Sequence, residues 1–90
     1  NEEVVVANIQ DPRLELIDFY NMLAHKLKLD RSFEKKVDFM IHFGDFLIDI
    51  YRQNKKVLLI IDEAQRLKSK LLDEIRVLSN IEFENKKLLP

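Results

Sequence analysis

The sequence predicts an α/β fold with the element order β-α-α-β-α and two parallel strands. Two short apolar runs, residues 4–7 and 57–61, have the length and the composition of strands. Apolar residues recur at helical spacing in the long segment between them and again after the second run. Strands that alternate with helices are typical of parallel sheets, in which right-handed crossovers join the strands.

Composition limits the class of protein. The chain has 90 residues, of which 47% are hydrophobic and 34% are charged, and this suits one small globular domain. A net charge of -1 gives no general attraction to nucleic acid, although a local basic patch stays possible. The chain has no cysteine, which excludes disulfides and thiolate metal sites. We expect no membrane span, because no apolar run approaches the roughly 20 residues that a span requires.

The first strand, residues 4–7, is predicted to lead into a helix that ends near residue 29. Asp11 is predicted to cap this helix, because a carboxylate there can accept bonds from the first free backbone N–H groups. Pro12 suits the first helical position, where its missing N–H costs nothing.

The second helix is predicted over residues 33–53, with Asp30 or Ser32 as its cap. Apolar residues occupy two of its faces, so the helix is expected to pack against two partners. Gly44 lies on one of these faces, where it is predicted to permit close approach of a neighbour.

The second strand, residues 57–61, is a continuous apolar run, which predicts burial on both faces. Asp62 and Glu63 follow it directly, at the end of a parallel strand where ligands bind. An aspartate there can hold Mg²⁺ through water, and a neighbouring glutamate can orient or deprotonate an attacking water. This is the form of a Walker B element. The alternative interpretation is a pair of acids that only marks where a buried strand reaches water.

The rest of the chain is predicted as a turn over residues 64–68, then a helix over residues 70–81 capped by Ser69. Residues 80–87 are polar and are predicted to form a loop, and residues 87–90 resemble the start of another element.

A Walker A loop is missing from the sequence. Such a loop is rich in glycine and ends in Gly-Lys-Ser or Gly-Lys-Thr. The single glycine, Gly44, is followed by Asp45.

Two segments carry a family resemblance. VLLIIDEAQRL at residues 57–67 and LDEIRVLSNIE at residues 72–82 closely resemble AAA+ ATPases of the general secretion pathway protein A (ExeA-like) type. Members show a hydrophobic strand, then Asp-Glu-Ala-Gln, then a helix ending Leu-Leu-Ser-Asn-Leu-Glu. Residues 8–29 are similar to the family's Asn-Pro-x-Leu…Leu-Leu…Leu-Gly-Leu stretch, but Asp11 precedes the proline and Lys28 stands where glycine is common.

The resemblance implies that residues 1–90 are the middle of an AAA+ domain, a P-loop NTPase with a three-layer fold. Walker A, the sensor residues and the lid would lie elsewhere. Asp62 would match the acid that binds Mg²⁺ through water, Glu63 the catalytic base, and Gln65 a residue near the nucleotide or the next subunit. ATP and Mg²⁺ would bind the complete domain, whereas the 90 residues alone are expected to bind neither and to be inactive.

The resemblance also implies a cytoplasmic ATPase, free or tethered at the inner membrane, that assembles general (type II) secretion proteins. One alternative is an AAA+ ATPase of the transposition type that binds DNA, which a contiguous basic face would favour. A helicase core of the Asp-Glu-Ala-His kind fits residues 72–82 less well. The last alternative is a non-enzymatic module that self-associates through its exposed apolar helix faces and strand edges.

Overall fold

The computed structural model describes residues 3–79, 82–83 and 86–87. The predicted order β-α-α-β-α is confirmed. In chain order the elements are β1 (Glu3–Ile9), α1 (Leu16–Lys26), α2 (Lys36–Arg52), β2 (Lys55–Ile61), a 3₁₀ turn (Ala64–Arg66), α3 (Ser69–Ser79), β3 (Glu82–Phe83) and β4 (Lys86–Lys87).

The strands β1 and β2 pair in parallel, as predicted, with a register that runs from Glu3 opposite Lys55 to Ile9 opposite Ile61. The helices α1 and α2 form the crossover between them. The predicted loop after α3 is wrong in part, because β3 and β4 pair antiparallel. Strands of two residues are too short for periodicity to detect. The element predicted to start at residue 87 lies mostly outside the described residues.

The helices cover one face of the β1–β2 sheet. Side chains alternate between the two faces of a strand, and Ala7, Ile9 and Val57 on the helix side are buried. On the other side, large apolar side chains are exposed, namely Val4 (53%), Val6 (49%), Leu58 (38%) and Ile60 (38%). The prediction that β2 is buried on both faces is therefore wrong for the described chain.

The helix α1 begins later than predicted, and Asp11 does not cap it. The Asp11 carboxylate accepts a hydrogen bond from the Arg13 backbone N–H at 3.1 Å, and it also binds the Arg13 side chain. The first helical hydrogen bond joins Phe19 N–H to the Glu15 carbonyl at 2.9 Å. The short-range contact with Arg13 thus uses the carboxylate that a cap would require.

A left-handed residue ends α1 earlier than predicted. Lys28 has a φ of 60°, and its N–H donates to the His25 carbonyl at 3.1 Å. The N–H of Leu29 donates to the Ala24 carbonyl at 2.9 Å. These two bonds form a Schellman motif, whose left-handed position is usually glycine. Lys28 therefore occupies a position whose backbone conformation favours glycine.

The helix α2 also starts later than predicted, and neither Asp30 nor Ser32 caps it. It begins at Lys36, after Lys35, with no side-chain cap bond. The Asn21 amide holds the backbone of Phe33 from both sides, since it accepts from Phe33 N–H at 2.7 Å and donates to Phe33 C=O at 2.8 Å. Phe33 therefore lies in the connection before the helix.

One face of α2 lies in the core and the other remains open. Val37 and Ile41 on the open face are 58% and 56% exposed. A β-carbon placed on Gly44 meets no atom within 4 Å, so the predicted close approach at this glycine is wrong for the described chain. The buried α2 residues are Phe39, Phe43, Leu47 and Ile50.

A hydrogen-bonded group connects α3 to the first two helices. The Tyr20 hydroxyl donates to Glu74 at 2.7 Å, and the Lys36 ammonium donates to Glu74 at 2.8 Å. The bond from Lys36, and then that from Tyr20, lower the pKa of the Glu74 carboxyl. Burial and the bond to Glu74 raise the pKa of Tyr20. Because α3 follows the turn after β2, this group helps to fix where that turn lies.

Within the described part of the chain, no helix has both the length and the apolar character needed to cross a membrane.

Candidate functional site

The two parallel strands end together at one edge of the sheet. Ile9 and Ile61 are the last paired residues. The backbone N–H of Asp62 donates to the Ile9 carbonyl at 2.9 Å, which adds one more hydrogen bond beyond the strand. Asp62 is thereby fixed at the carboxyl end of the sheet, where ligands bind in open parallel folds. Its side chain is exposed.

Glu63 begins a sharp turn. Its backbone is left-handed, with φ 59° and ψ 37°, a conformation that costs a residue with a β-carbon roughly 1–2 kcal/mol. The Glu63 carbonyl accepts a hydrogen bond from Arg66 N–H at 2.9 Å, and this bond closes the 3₁₀ turn. The strained residue is therefore held by its own turn.

The structure brings two of the three predicted site residues into direct contact. The Gln65 amide donates to Oε2 of Glu63 at 2.6 Å. The Arg66 guanidinium approaches the same oxygen at 3.5 Å, with both side chains about half exposed. Gln65 was predicted near the nucleotide or the next subunit, and the contact found is with Glu63. Among the described residues, the Asp62 side chain forms no hydrogen bond or ion pair.

A second charged loop lies at the same edge, after β1. The Arg13 guanidinium donates two hydrogen bonds to the Asp11 carboxylate, at 3.0 and 2.9 Å. These bonds, with the backbone bond from Arg13, lower the pKa of Asp11 to about 2, and Arg66 acts in the same direction more weakly. Asp11 raises the pKa of Arg13, and Glu63 adds to this effect. The charged side chains of the loop after β1 therefore interact electrostatically with those of the loop after β2.

Sequence reasoning missed this second loop as part of the site. It assigned Asp11 to a helix cap, although the signal for another role was present. Asp11 and Glu63 each lie two residues beyond strand ends that are opposite each other in the register. The carboxyl ends of parallel strands share one edge of a sheet, so both acids were placed there by the predicted topology.

The ligands available for a metal are few. Among the described residues, no group of three or more histidine, aspartate or glutamate side chains could hold a metal ion. Mg²⁺ usually keeps several waters and binds through one or two carboxylates and substrate phosphates. The exposed carboxylate of Asp62 fits that pattern, whereas the described residues form no site made entirely of protein ligands.

Comparison with known families and proteins adds one positive finding. The family described as AAA domain matches residues 1–90, which is the entire sequence. No curated protein and no solved structure matches the chain. With its two parallel strands and three helices, the fold is compatible with part of a P-loop ATPase domain. Because the family match covers all 90 residues, the chain belongs to the AAA domain family.

Proposed function

We propose that the chain supplies the hydrolytic acids of an AAA-type ATPase, with Asp62 and Glu63 as its Walker B pair. The observation that carries the proposal is the hydrogen bond from Asp62 N–H to the Ile9 carbonyl, at 2.9 Å. It fixes both acids at the carboxyl end of a parallel sheet, with the Asp62 carboxylate directed to solvent. The family match supports the same activity.

In this proposal the Asp62 carboxylate would hold Mg²⁺ through water. The bound ion would neutralise charge that develops on the transferring phosphate. Glu63 accepts a hydrogen bond from the attacking water and orients it toward the γ-phosphate. Most of the catalysis in such a site comes from position and electrostatics.

The phosphate-binding loop would come from protein sequence outside these 90 residues. A loop of that kind cradles phosphates with successive backbone N–H groups and needs several glycines, and the chain has one. ATP held by Asp62 and Glu63 alone would have neither this cradle nor an adenine pocket. The 90-residue chain is therefore proposed to be inactive by itself.

The longer protein proposed above, in which a phosphate-binding loop accompanies these 90 residues, is called the full-length protein. Its hydrolysis of ATP tests the proposal. Glu63→Gln should still bind ATP but should hydrolyse it at least about 100-fold more slowly, the usual effect of losing a general base. Asp62→Asn should weaken binding of ATP in the presence of Mg²⁺ more than in its absence. Glu34→Gln, an exposed acid in the connection before α2, is the matched control. Hydrolysis at the wild-type rate by Glu63→Gln would refute the proposal.

Calorimetric titration of the 90-residue chain tests its inactivity. With ATP and Mg²⁺ we expect no binding heat from this chain and clear heat from the full-length protein. Micromolar binding by the short chain that is lost in Asp62→Ala would mean that a second copy or another loop completes the site.

For the cellular role we propose assembly of the general (type II) secretion pathway, with secretion proteins as partners. The similarity of residues 57–82 to the secretion-type ATPases supports this role over transposition or a helicase. Cells that produce only the Glu63→Gln protein should accumulate secreted substrates inside. Unchanged secretion together with lost DNA transposition would favour the alternative.

The exposed apolar sheet face supports a second property, association with further protein. On this face Val4, Val6, Leu58 and Ile60 are apolar and exposed, and Val6 lies opposite Leu58 in the register. Such surfaces mark packing or interaction sites. The 90-residue chain is therefore proposed to self-associate through this face when nothing else covers it.

A further inference from the structure

We propose that Gln65 and Arg66 are positioning residues, which hold the Glu63 carboxylate by one oxygen and leave the other for the attacking water. The inference rests on the proposed function, because it assigns a role to the neighbours of the proposed base. In this inference Gln65 acts through its contact with Glu63 and not through a direct contact with the nucleotide.

The two contacts converge on the same atom. Oε2 of Glu63 accepts from the Gln65 amide at 2.6 Å and lies 3.5 Å from Nε of Arg66. Within the described part of the chain, Oε1 of Glu63 has no hydrogen bond. A carboxylate accepts hydrogen bonds at both oxygens, so Oε1 remains available to a water molecule.

The backbone of the turn produces this convergence. The turn closes between Glu63 and Arg66, and this brings the side chains of the two residues together. The turn is closed by bonds from Arg66 N–H to Glu63 C=O at 2.9 Å and from Leu67 N–H to Ala64 C=O at 3.1 Å. The left-handed backbone of Glu63 therefore helps to determine where its carboxylate lies.

The two residues act differently. Gln65 is neutral and fixes the orientation of the carboxylate through a hydrogen bond. Arg66 is cationic, and its guanidinium attracts the same Glu63 oxygen by charge, at 3.5 Å. Asp11 in the neighbouring loop is held mainly by two hydrogen bonds from the Arg13 side chain, and Arg66 acts on Asp11 more weakly.

The step that this arrangement serves is hydrolysis of the γ-phosphate. The water oxygen forms a bond to the γ-phosphorus while the bond from phosphorus to the bridging oxygen of ADP breaks. The proton of the water moves to Oε1 of Glu63 and then to solvent. ADP and inorganic phosphate are released, and no oxidant or further reactant is required.

Steady-state ATP hydrolysis by the full-length protein separates these roles. Gln65→Ala and Arg66→Met should each lower kcat by roughly 10- to 100-fold, where the upper value is the loss for a catalytic group misplaced by about 1 Å, with the KM for ATP unchanged. Arg66→Lys should restore kcat toward the wild-type value, because it keeps a cation beside Glu63. Arg76→Met is the matched control, because Arg76 forms an exposed pair with an acid at the same i,i+3 spacing.

The outcomes distinguish this inference from the proposed function. If Glu63→Gln hydrolyses ATP normally, the proposed function fails. If Glu63→Gln is inactive but Gln65→Ala and Arg66→Met keep the wild-type kcat, only the positioning role is overturned. A raised KM with an unchanged kcat would assign Gln65 to nucleotide binding and would overturn it as well. Nucleotide binding by each variant, measured in parallel, confirms that the variant is folded.

Discussion

Replacing Gly44 by alanine is expected to stabilise the 90-residue chain by about 1 kcal/mol, the difference in helix propensity between the two residues. Gly44 lies in the interior of α2 (Lys36–Arg52), and no glycine of the described chain has a positive φ. The added β-carbon meets no atom within 4 Å, so no steric cost offsets the gain.

Urea denaturation followed by circular dichroism measures this change directly. For a domain of this size, 1 kcal/mol corresponds to a melting-temperature rise of roughly 4–8 °C. Two further variants separate propensity from packing. Gly44→Ser should gain about half as much as alanine, and Gly44→Lys should gain nearly as much as alanine despite its size.

A loss of stability in Gly44→Ala, or a large loss in Gly44→Lys alone, would refute this reasoning for the 90-residue chain. The same variants in the full-length protein test a different point. If a further element packs closely on the open face of α2, Gly44→Lys should destabilise the full-length protein while it stabilises the short chain. Opposite signs in the two proteins would locate a packing partner that the described residues do not include.

Four other changes have predicted outcomes. Lys28→Gly should raise stability by about 1 kcal/mol, because glycine adopts the left-handed conformation without the cost to a side chain, and the urea midpoint reports it. Asn21→Ala should lower stability by about 2 kcal/mol, since it leaves buried backbone groups before α2 without partners; no change would show that water replaces the amide. Glu74 has a lowered pKa in the folded chain, so its contribution to stability is present at neutral pH and is lost as the pH falls through that pKa. Glu74→Gln should therefore flatten the acid side of a plot of urea midpoint against pH. Val6→Ser combined with Leu58→Ser should reduce self-association in sedimentation equilibrium, and unchanged association would assign it to another surface.

The β-α-α-β-α order was predictable because it depends on long apolar patterns. The runs at residues 4–7 and 57–61 lie inside the observed strands, Glu3–Ile9 and Lys55–Ile61. Helix starts were not predictable in the same way, because a helix start depends on whether one side chain caps the helix or binds another group. Asp11 had a strong capping signal, yet the arginine two residues later binds its carboxylate.

A long-range contact set the start of the second helix. Phe33 begins a helical apolar pattern, but the Asn21 side chain, which lies on α1, binds both its N–H and its carbonyl. No pattern confined to residues 30–40 contains this information. In the same way, Tyr20 and Glu74 are 54 residues apart in sequence and meet only after the helices have packed.

The candidate site was predictable in position and not in its contacts. Asp62 and Glu63 were placed at the carboxyl end of β2 from the strand that precedes them, and the structure has them there. The bond from Gln65 to Glu63 could not be predicted, since it depends on the left-handed backbone of Glu63. A non-glycine residue in this conformation gives no distinct signal in a single sequence.

The open face of the sheet and the candidate site are connected through Asp62. Side chains alternate along a strand, and the bond from Asp62 N–H to the Ile9 carbonyl continues the pattern of β2 by one residue. Asp62 therefore lies on the same side as Leu58 and Ile60, which the helices leave exposed. Any protein layer that covers these apolar residues also borders the acid proposed to bind Mg²⁺. If such a layer completes the nucleotide site proposed above, ATP should stabilise the full-length protein and leave the stability of the 90-residue chain unchanged.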